Sequence, residues 1–181
     1  GGCPVVPAVL SRHPLNMRRR QRMESQRAPL TIVVDLTSSG GINEPELLRR
    51  GSAILALLRV LSISRPVTLW CGVGLGTYKN MGSAWVQVEA SPLDLGRAAF
   101  MMASPTMSRG ILYRQASEHG SWPFSNIDLY RQHMTDILRP VFAANGEDLL
   151  CLPPVYADDE NIRTPDVWLI KQLVALGYHV E

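Results

Sequence analysis

The chain has 181 residues, of which 46% are hydrophobic, so it is long enough to bury one sizeable core. The formal net charge is only +2, with 18 basic and 16 acidic residues. No apolar run approaches the roughly 18 residues of a membrane span, and the first residues lack the charged and then apolar order of a signal peptide. Two of the three cysteines lie in apolar runs, which favours reduced thiols. We therefore expect a cytoplasmic protein without a membrane partner, in the host-cell cytoplasm if the source is viral.

The first 29 residues differ in pattern from the rest of the chain. Prolines recur there and no hydrophobic period is sustained, so residues 1–29 are predicted to form an extended basic arm. Residues 30–181 are predicted to form one domain. The basic character of the arm comes from closely spaced arginines: Arg18, Arg19, Arg20, Arg22 and Arg27.

The first predicted elements are a buried strand and a long helix. Leu30 to Leu36 is a nearly continuous apolar run rich in β-branched residues, which predicts a central strand covered on both faces. Asn43, followed by a proline and acidic residues, is typical of a helix start, and this helix is predicted to run to about Ser62. Its apolar residues fall along one side, so Arg49, Arg50 and Arg59 are predicted to point outward.

Strands and helices then alternate. A second strand is predicted over residues 67–71, a glycine-rich link follows it, and the alternation in residues 85–89 predicts a half-exposed edge strand. The remaining predicted elements are helices over residues 91–103, 108–118, 127–142 and 165–175, and strands over residues 149–152 and 178–180. This order predicts an α/β fold with a doubly wound, mainly parallel sheet, one antiparallel edge strand and helices on both faces.

Polar residues follow the first predicted strand directly. In such a sheet, ligands bind at the carboxyl ends of the central strands. Asp35 supplies a carboxylate there, and the hydroxyls of Thr37 and Ser39 follow at two-residue spacing. Three hard oxygen ligands on one tight loop suit Mg²⁺ or Mn²⁺. The alternative is an ordinary polar turn, because these residue types are also common in turns.

The segment from Thr31 to Gly40 resembles the first strand and metal-ion-dependent adhesion site (MIDAS) of von Willebrand factor A domains. That family's pattern is aspartate, any residue, serine, any residue, serine, and Thr37 departs from it by exchanging one hydroxyl for another. The resemblance implies a von Willebrand A, Rossmann-like fold and a distant threonine ligand, which falls on Thr106. It also implies an aspartate after the fourth strand. The chain has Leu-Cys-Leu-Pro-Pro there instead of the usual Thr-Asp-Gly ending, and Asp158 is the ligand candidate.

The resemblance implies a non-catalytic, divalent-metal-dependent protein-interaction module. The ion would bind a carboxylate of a partner protein, and an AAA-type ATPase is one such partner by analogy with intracellular members of the family. The sequence contains neither a nucleophile elbow nor a Cys-His signature, so we do not expect an enzyme.

The arginine cluster supports an alternative function. Arg18, Arg19, Arg20 and Arg22 on a flexible arm would neutralise phosphates, as in a nucleic-acid-associated factor of phage transcription or replication built on a degenerate, metal-free A-like scaffold. An arginine triplet before the first strand is similar to bacteriophage proteins of this shape. The same arginines would also serve as a strap that packs against the domain.

Overall fold

A computed structural model describes residues 3–4, 17–18, 27–77, 80–88, 94–118, 127–143 and 147–179. Strands and helices alternate along most of the chain. The strands are β1 (Cys3–Pro4), β2 (Met17–Arg18), β3 (Leu30–Asp35), β4 (Val67–Thr77), β5 (Asn80–Val88) and β6 (Asp148–Leu152). The helices are α1 (Glu44–Ser64), α2 (Leu95–Ala103), a π-helical segment (Thr106–Leu112), α3 (Tyr113–Ser117), α4 (Ile127–Phe142), α5 (Glu160–Arg163) and α6 (Pro165–Ala175).

Four strands form the main sheet in the order β5-β4-β3-β6. Strand β3 pairs in parallel with β4 on one side and with β6 on the other. Strand β5 pairs antiparallel with β4 and closes one edge. The predicted α/β class, with a mainly parallel sheet and an antiparallel edge strand, is confirmed at this level.

Every residue of β3 is buried, because this strand lies between β4 and β6 in the sheet. Ile32 and Val34 face one hydrophobic cluster, to which α1 contributes. Val33 faces a second cluster on the opposite side of the sheet. Helices therefore cover both faces, as the continuous apolar run of β3 predicts.

The two faces differ in how they are packed. Helix α1 supplies Leu57, Leu58 and Leu61, which are fully buried, and each such side chain contributes roughly 1.5–3 kcal/mol through the hydrophobic effect. On the other face, α4 places Met134 and Leu138 against the sheet. Aromatic rings complete that face, with 5.1 Å between the ring centroids of Trp70 and Phe142.

The glycine-rich segment predicted as a link lies largely within β4, which runs to Thr77. The position of Gly72 explains the glycine there. A Cβ atom on this residue would lie 2.3 Å from the Ala84 carbonyl oxygen and 2.4 Å from the Trp85 ring. Gly72 therefore permits the close approach of β5, which a side chain would prevent.

The strand predicted over residues 178–180 is wrong for its two described residues, since Tyr178 and His179 lie in no strand. Gly177, with φ of 77°, reverses the chain after α6. The Tyr178 N–H then donates to the Leu173 carbonyl at 2.9 Å, a helix-ending turn that uses the backbone group a strand would need.

Among the described residues that precede β3, β1 and β2 form a short antiparallel pair. Arg27 lies three residues before β3 and donates from Nη1 to Leu176 O at 3.1 Å and from Nη2 to Gly177 O at 3.0 Å. Its guanidinium also stacks over the Tyr178 ring, 4.0 Å from the centroid. This one arginine packs against the C-terminal end of α6, where carbonyls favour a cation.

The described helices include none that is both long enough and apolar enough to cross a membrane.

Candidate binding site at the carboxyl end of β3

Asp35 ends β3 with a side chain that is 0% exposed. Its Oδ1 accepts a hydrogen bond from the Thr37 N–H at 2.7 Å, and its Oδ2 accepts one from the Gly74 N–H at 3.2 Å. The first bond fixes the turn that follows β3, and the second ties this turn to β4. Backbone donors therefore hold the carboxylate in place.

Thr37 is also buried, and its Oγ1 makes no hydrogen bond of standard geometry with the described residues. The Tyr113 hydroxyl lies beside it. Burial raises the pKa of Tyr113, while hydrogen bonding of its hydroxyl toward the Ser38 backbone and the Thr37 side chain opposes that rise. A hydroxyl oxygen carries two lone pairs, so Thr37 Oγ1 keeps capacity to bind a further ligand.

Arg50 lies in α1 and joins the carboxyl ends of β3 and β6 through hydrogen bonds. Its Nη2 donates to Asp35 O at 2.9 Å and to Pro153 O at 3.0 Å. Burial lowers the pKa of its guanidinium to about 10, against the effect of Asp35, so the group stays charged at neutral pH. Its Nε is buried without a hydrogen-bond partner among the described residues.

The prediction that Arg50 points outward is wrong, since this residue is 2% exposed. The spacing contained the signal. Arg50 lies three residues after Leu47 and four before Ile54, so it falls on the same helix side as these buried residues. Two backbone carbonyls compensate for the burial of its charge.

Arg109 reaches the same loop from the π-helical segment. Its Nη2 lies 3.2 Å from Ser38 Oγ, 3.2 Å from Ser39 O and 3.1 Å from Ile42 O, all within donating distance. The residue itself is exposed. Sequence reasoning missed Arg109, and no spacing rule would have found it, because its partners are chiefly backbone carbonyls about 70 residues earlier.

The loops after β3 and β6 lie side by side. Ser38 and Val155 form an isolated parallel bridge, and the Val155 N–H donates to Thr37 O at 3.0 Å. In the second loop, Asp159 accepts from Arg131 Nη2 at 2.8 and 2.9 Å, and from the Tyr156 N–H at 2.8 Å. This carboxylate is therefore occupied by an ion pair within the chain.

The predicted metal ligands are brought together only in part. Asp35 and Thr37 are neighbours in the buried turn, and half-buried Ser39 follows them. Thr106 and Asp158 are exposed, and no hydrogen bond among the described residues joins either of them to Asp35. Within the described ranges, no three His, Cys, Asp or Glu side chains cluster as they would around a metal.

The donor atoms on the loop after β3 fit a divalent cation chemically. Asp35, Thr37 and Ser39 offer hard oxygens, and Thr37 Oγ1 is a buried atom without a standard partner in the described part of the chain. These three residues would hold the ion. The Arg109 guanidinium already places a positive charge on this loop, so an ion would bind beside a competing cation.

The arginines of the nucleic-acid prediction fall mainly outside the described residues. The backbone of Arg18 lies in β2. Its side chain and the residues Arg19, Arg20 and Arg22 lie beyond the described ranges, so nucleic-acid binding by this cluster stays a prediction.

A family model described as a domain of unknown function (DUF7192) matches residues 1–136. That span contains the loop after β3 together with Arg50, Arg109 and Tyr113, and it ends before β6. Comparison with curated proteins and with solved structures produced no match. Because the family model covers well over half of the 181 residues, the chain belongs to the DUF7192 family.

Proposed function

We propose that this chain is a non-catalytic, divalent-metal-dependent protein-interaction module, with Mg²⁺ or Mn²⁺ held by the loop after β3. One observation carries the proposal. A buried carboxylate, Asp35, lies two residues from a buried hydroxyl, Thr37, that makes no standard hydrogen bond with the described residues. Both lie at the carboxyl end of a central strand, where α/β sheets bind ligands.

The arrangement around this loop supports binding more than bond-making chemistry. Asp35 accepts from two backbone N–H groups, which hold its side chain in a fixed position. Arg50 fixes the backbone on the other side of the same residue. When bound, the ion would offer a coordination position to a carboxylate of the partner. Such a preformed loop lowers the ordering cost of binding.

The finer fold assignment belongs to the same proposal. The strand order β5-β4-β3-β6, with an antiparallel strand at one edge, supports a doubly wound sheet of the von Willebrand A type. An AAA-type ATPase is one candidate partner by analogy with intracellular members of that family, and analogy of fold is its sole support.

The test is thermal unfolding of the full chain in Mg²⁺, in Mn²⁺ and in chelator. An ion bound only by the folded state stabilises it by about 2.7 kcal/mol at 100 times its Kd. Asp35→Ala risks misfolding, because Asp35 anchors two backbone N–H groups. Thr37→Val is the sharper variant, since it removes a hydroxyl that makes no standard hydrogen bond and keeps the side-chain shape. We expect Thr37→Val to fold normally in chelator and to lose the metal-induced shift.

Thr31→Val is the matched control. Thr31 is a buried threonine at the opposite end of β3, and its Oγ1 donates to Glu147 Oε2 at 3.0 Å. This variant should lose some stability and keep the full metal-induced shift. Two results would overturn the proposal. One is the absence of any metal-induced shift of the unfolding temperature in the unmodified chain at Mg²⁺ on the order of 10 mM. The other is an equal metal-induced shift in Thr37→Val.

A further inference from the structure

We infer that Arg109 forms a second, metal-independent binding site that takes a carboxylate from an acidic protein segment. The inference rests on the proposed function, which supplies a protein as the partner. It adds a contact between the Arg109 guanidinium and this partner that needs no metal ion. It starts from the way the guanidinium is held against the loop after β3.

A single nitrogen of Arg109 makes all of its contacts with the described residues. Nη2 lies within 3.2 Å of Ser38 Oγ, Ser39 O and Ile42 O. Nη1 and Nε donate to no described residue. The guanidinium is thus fixed at one corner, and its remaining N–H donors have no acceptor among the residues that the structure describes.

No carboxylate in the described part of the chain forms an ion pair with Arg109. Asp35 lies three residues before Ser38, and both of its oxygens accept from backbone N–H groups. Glu44 lies two residues after Ile42, and its side chain is exposed. Acidic residues that form ion pairs in the described part of the chain pair with other basic residues. Asp159, for example, pairs with Arg131. Arg109 therefore carries a positive charge that is exposed, anchored and not neutralised by a described side chain.

The anchoring lowers the cost of binding an anion. A free arginine side chain must lose much of its rotational freedom when it binds, whereas Arg109 is already restrained by three acceptors on the loop. Its planar fork matches an oxyanion in geometry. The π-helical segment, Thr106–Leu112, directs it there while Leu112 packs in the core.

The charge balance favours a carboxylate over a phosphate. Phosphate sites generally combine several arginines or a helix N-terminus with the anion. Among the described residues, Arg109 is the one exposed cation that contacts this loop, because Arg50 is buried and donates to Asp35 O and Pro153 O. One guanidinium matches one monovalent carboxylate, as on an aspartate or glutamate side chain.

The experiment is an NMR titration of the full chain with hexaglutamate in chelator. The arginine Nε–H signals are followed, and the Arg109 signal is identified by its loss in Arg109→Gln. We expect this signal to shift on titration, and we expect Arg109→Gln to weaken hexaglutamate binding by about tenfold. Arg114→Gln is the matched control, since Arg114 lies five residues further along the chain, is highly exposed and pairs with Glu118.

The outcomes distinguish failure of this inference from failure of the metal-binding proposal. A shift of the Arg109 signal together with loss of the metal effect in Thr37→Val supports both. Hexaglutamate binding that leaves the Arg109 signal unchanged, or that is equal in Arg109→Gln and Arg114→Gln, overturns the inference and leaves the metal proposal standing. An Arg109-dependent titration without any metal-induced stabilisation does the reverse. A parallel titration at matched ionic strength with inorganic phosphate overturns the carboxylate assignment if phosphate binds Arg109 more tightly.

Discussion

The loops that follow β3 and β6 are neighbours, yet they satisfy their polar groups in opposite ways. After β6, Asp159 and Arg131 form an ion pair, and the Asp159 carboxylate also accepts a hydrogen bond from the Tyr156 N–H. After β3, Arg109 contacts mainly backbone carbonyls, and Thr37 Oγ1 has no standard partner among the described residues. A loop whose charges pair internally is stabilised, whereas one that keeps donors and acceptors available is suited to a ligand. Under the proposed function, the loop after β6 gives structural support and the loop after β3 binds the ligand.

The largest effect is expected in β4, which supports the loop after β3. Gly72→Ala places a Cβ 2.3 Å from the Ala84 carbonyl oxygen and 2.4 Å from the Trp85 ring, and neither can move without disturbing the β4–β5 pairing. We expect a loss of more than about 3 kcal/mol in the free energy of unfolding, measured by urea denaturation. Gly41→Ala is the control, because nothing lies within 4 Å of its added Cβ. Equal stability of the two variants would contradict the close packing described for Gly72.

The second prediction removes the side chain that the two loops share. Arg50→Met takes away the donor for Asp35 O and Pro153 O and leaves two carbonyls without their present partner. We expect a loss of about 3 kcal/mol in the free energy of unfolding. The loss is limited because the methionine side chain, unlike arginine, buries no charge. Arg49→Met, at the exposed neighbouring position, should cost little. If the Arg50 variant were as stable as the Arg49 variant, the two loops would be held by other contacts.

The third prediction separates support from binding. Arg131→Met removes the ion pair with Asp159. The Arg131 side chain is 25% exposed and the Asp159 side chain is 20% exposed. Because the pair is partly screened by solvent, we expect a loss of about 1–2 kcal/mol in unfolding free energy. Hexaglutamate binding should stay unchanged in this variant, and Arg109→Gln should show the opposite pattern. A matching loss of binding in Arg131→Met would mean that the loop after β6 takes part in the site.

The sequence predicts the parts of the site that depend on local pattern. Leu30 to Asp35 is a short apolar run, so a buried strand that ends in a carboxylate follows from it directly. Asn43 before proline and acids predicts the start of α1 where it occurs. These features need only the residues that form them.

Other parts of the site depend on partners that are distant in the chain. Helix spacing places Arg50 on the buried side of α1, but its hydrogen-bond partners, Pro153 O and Asp35 O, are carbonyl groups that leave no mark in a sequence. Arg109 depends likewise on Ser39 O and Ile42 O. The resemblance implies an aspartate ligand after β6, for which Asp158 is the candidate. Asp158 is exposed, and the neighbouring Asp159 pairs with Arg131. Such choices are made by tertiary contacts between elements and not by periodicity.

The smallest expected effect concerns how each loop begins its helix. Asn43 Oδ1 accepts from the Glu46 N–H at 3.0 Å, and Glu46 Oε2 accepts from the Asn43 N–H at 2.8 Å, so the loop after β3 ends in a reciprocal cap. Asp159 occupies the same place before α5 and gives that helix no side-chain cap, because its carboxylate is bound to Arg131 and Tyr156 N–H.

Asn43→Ala should therefore cost about 1 kcal/mol in unfolding free energy, and Asn43→Asp should cost almost nothing, because an aspartate accepts the same bond. The urea midpoint of each variant measures this difference, with the slope unchanged. Since the cap lies after the residues that face the proposed ligands, both variants should keep the metal-induced shift and the Arg109-dependent titration. A loss of either property in Asn43→Ala alone would show that α1 must be capped for the loop to hold its binding geometry, and it would move the boundary of the site from Ile42 into the first turn of the helix.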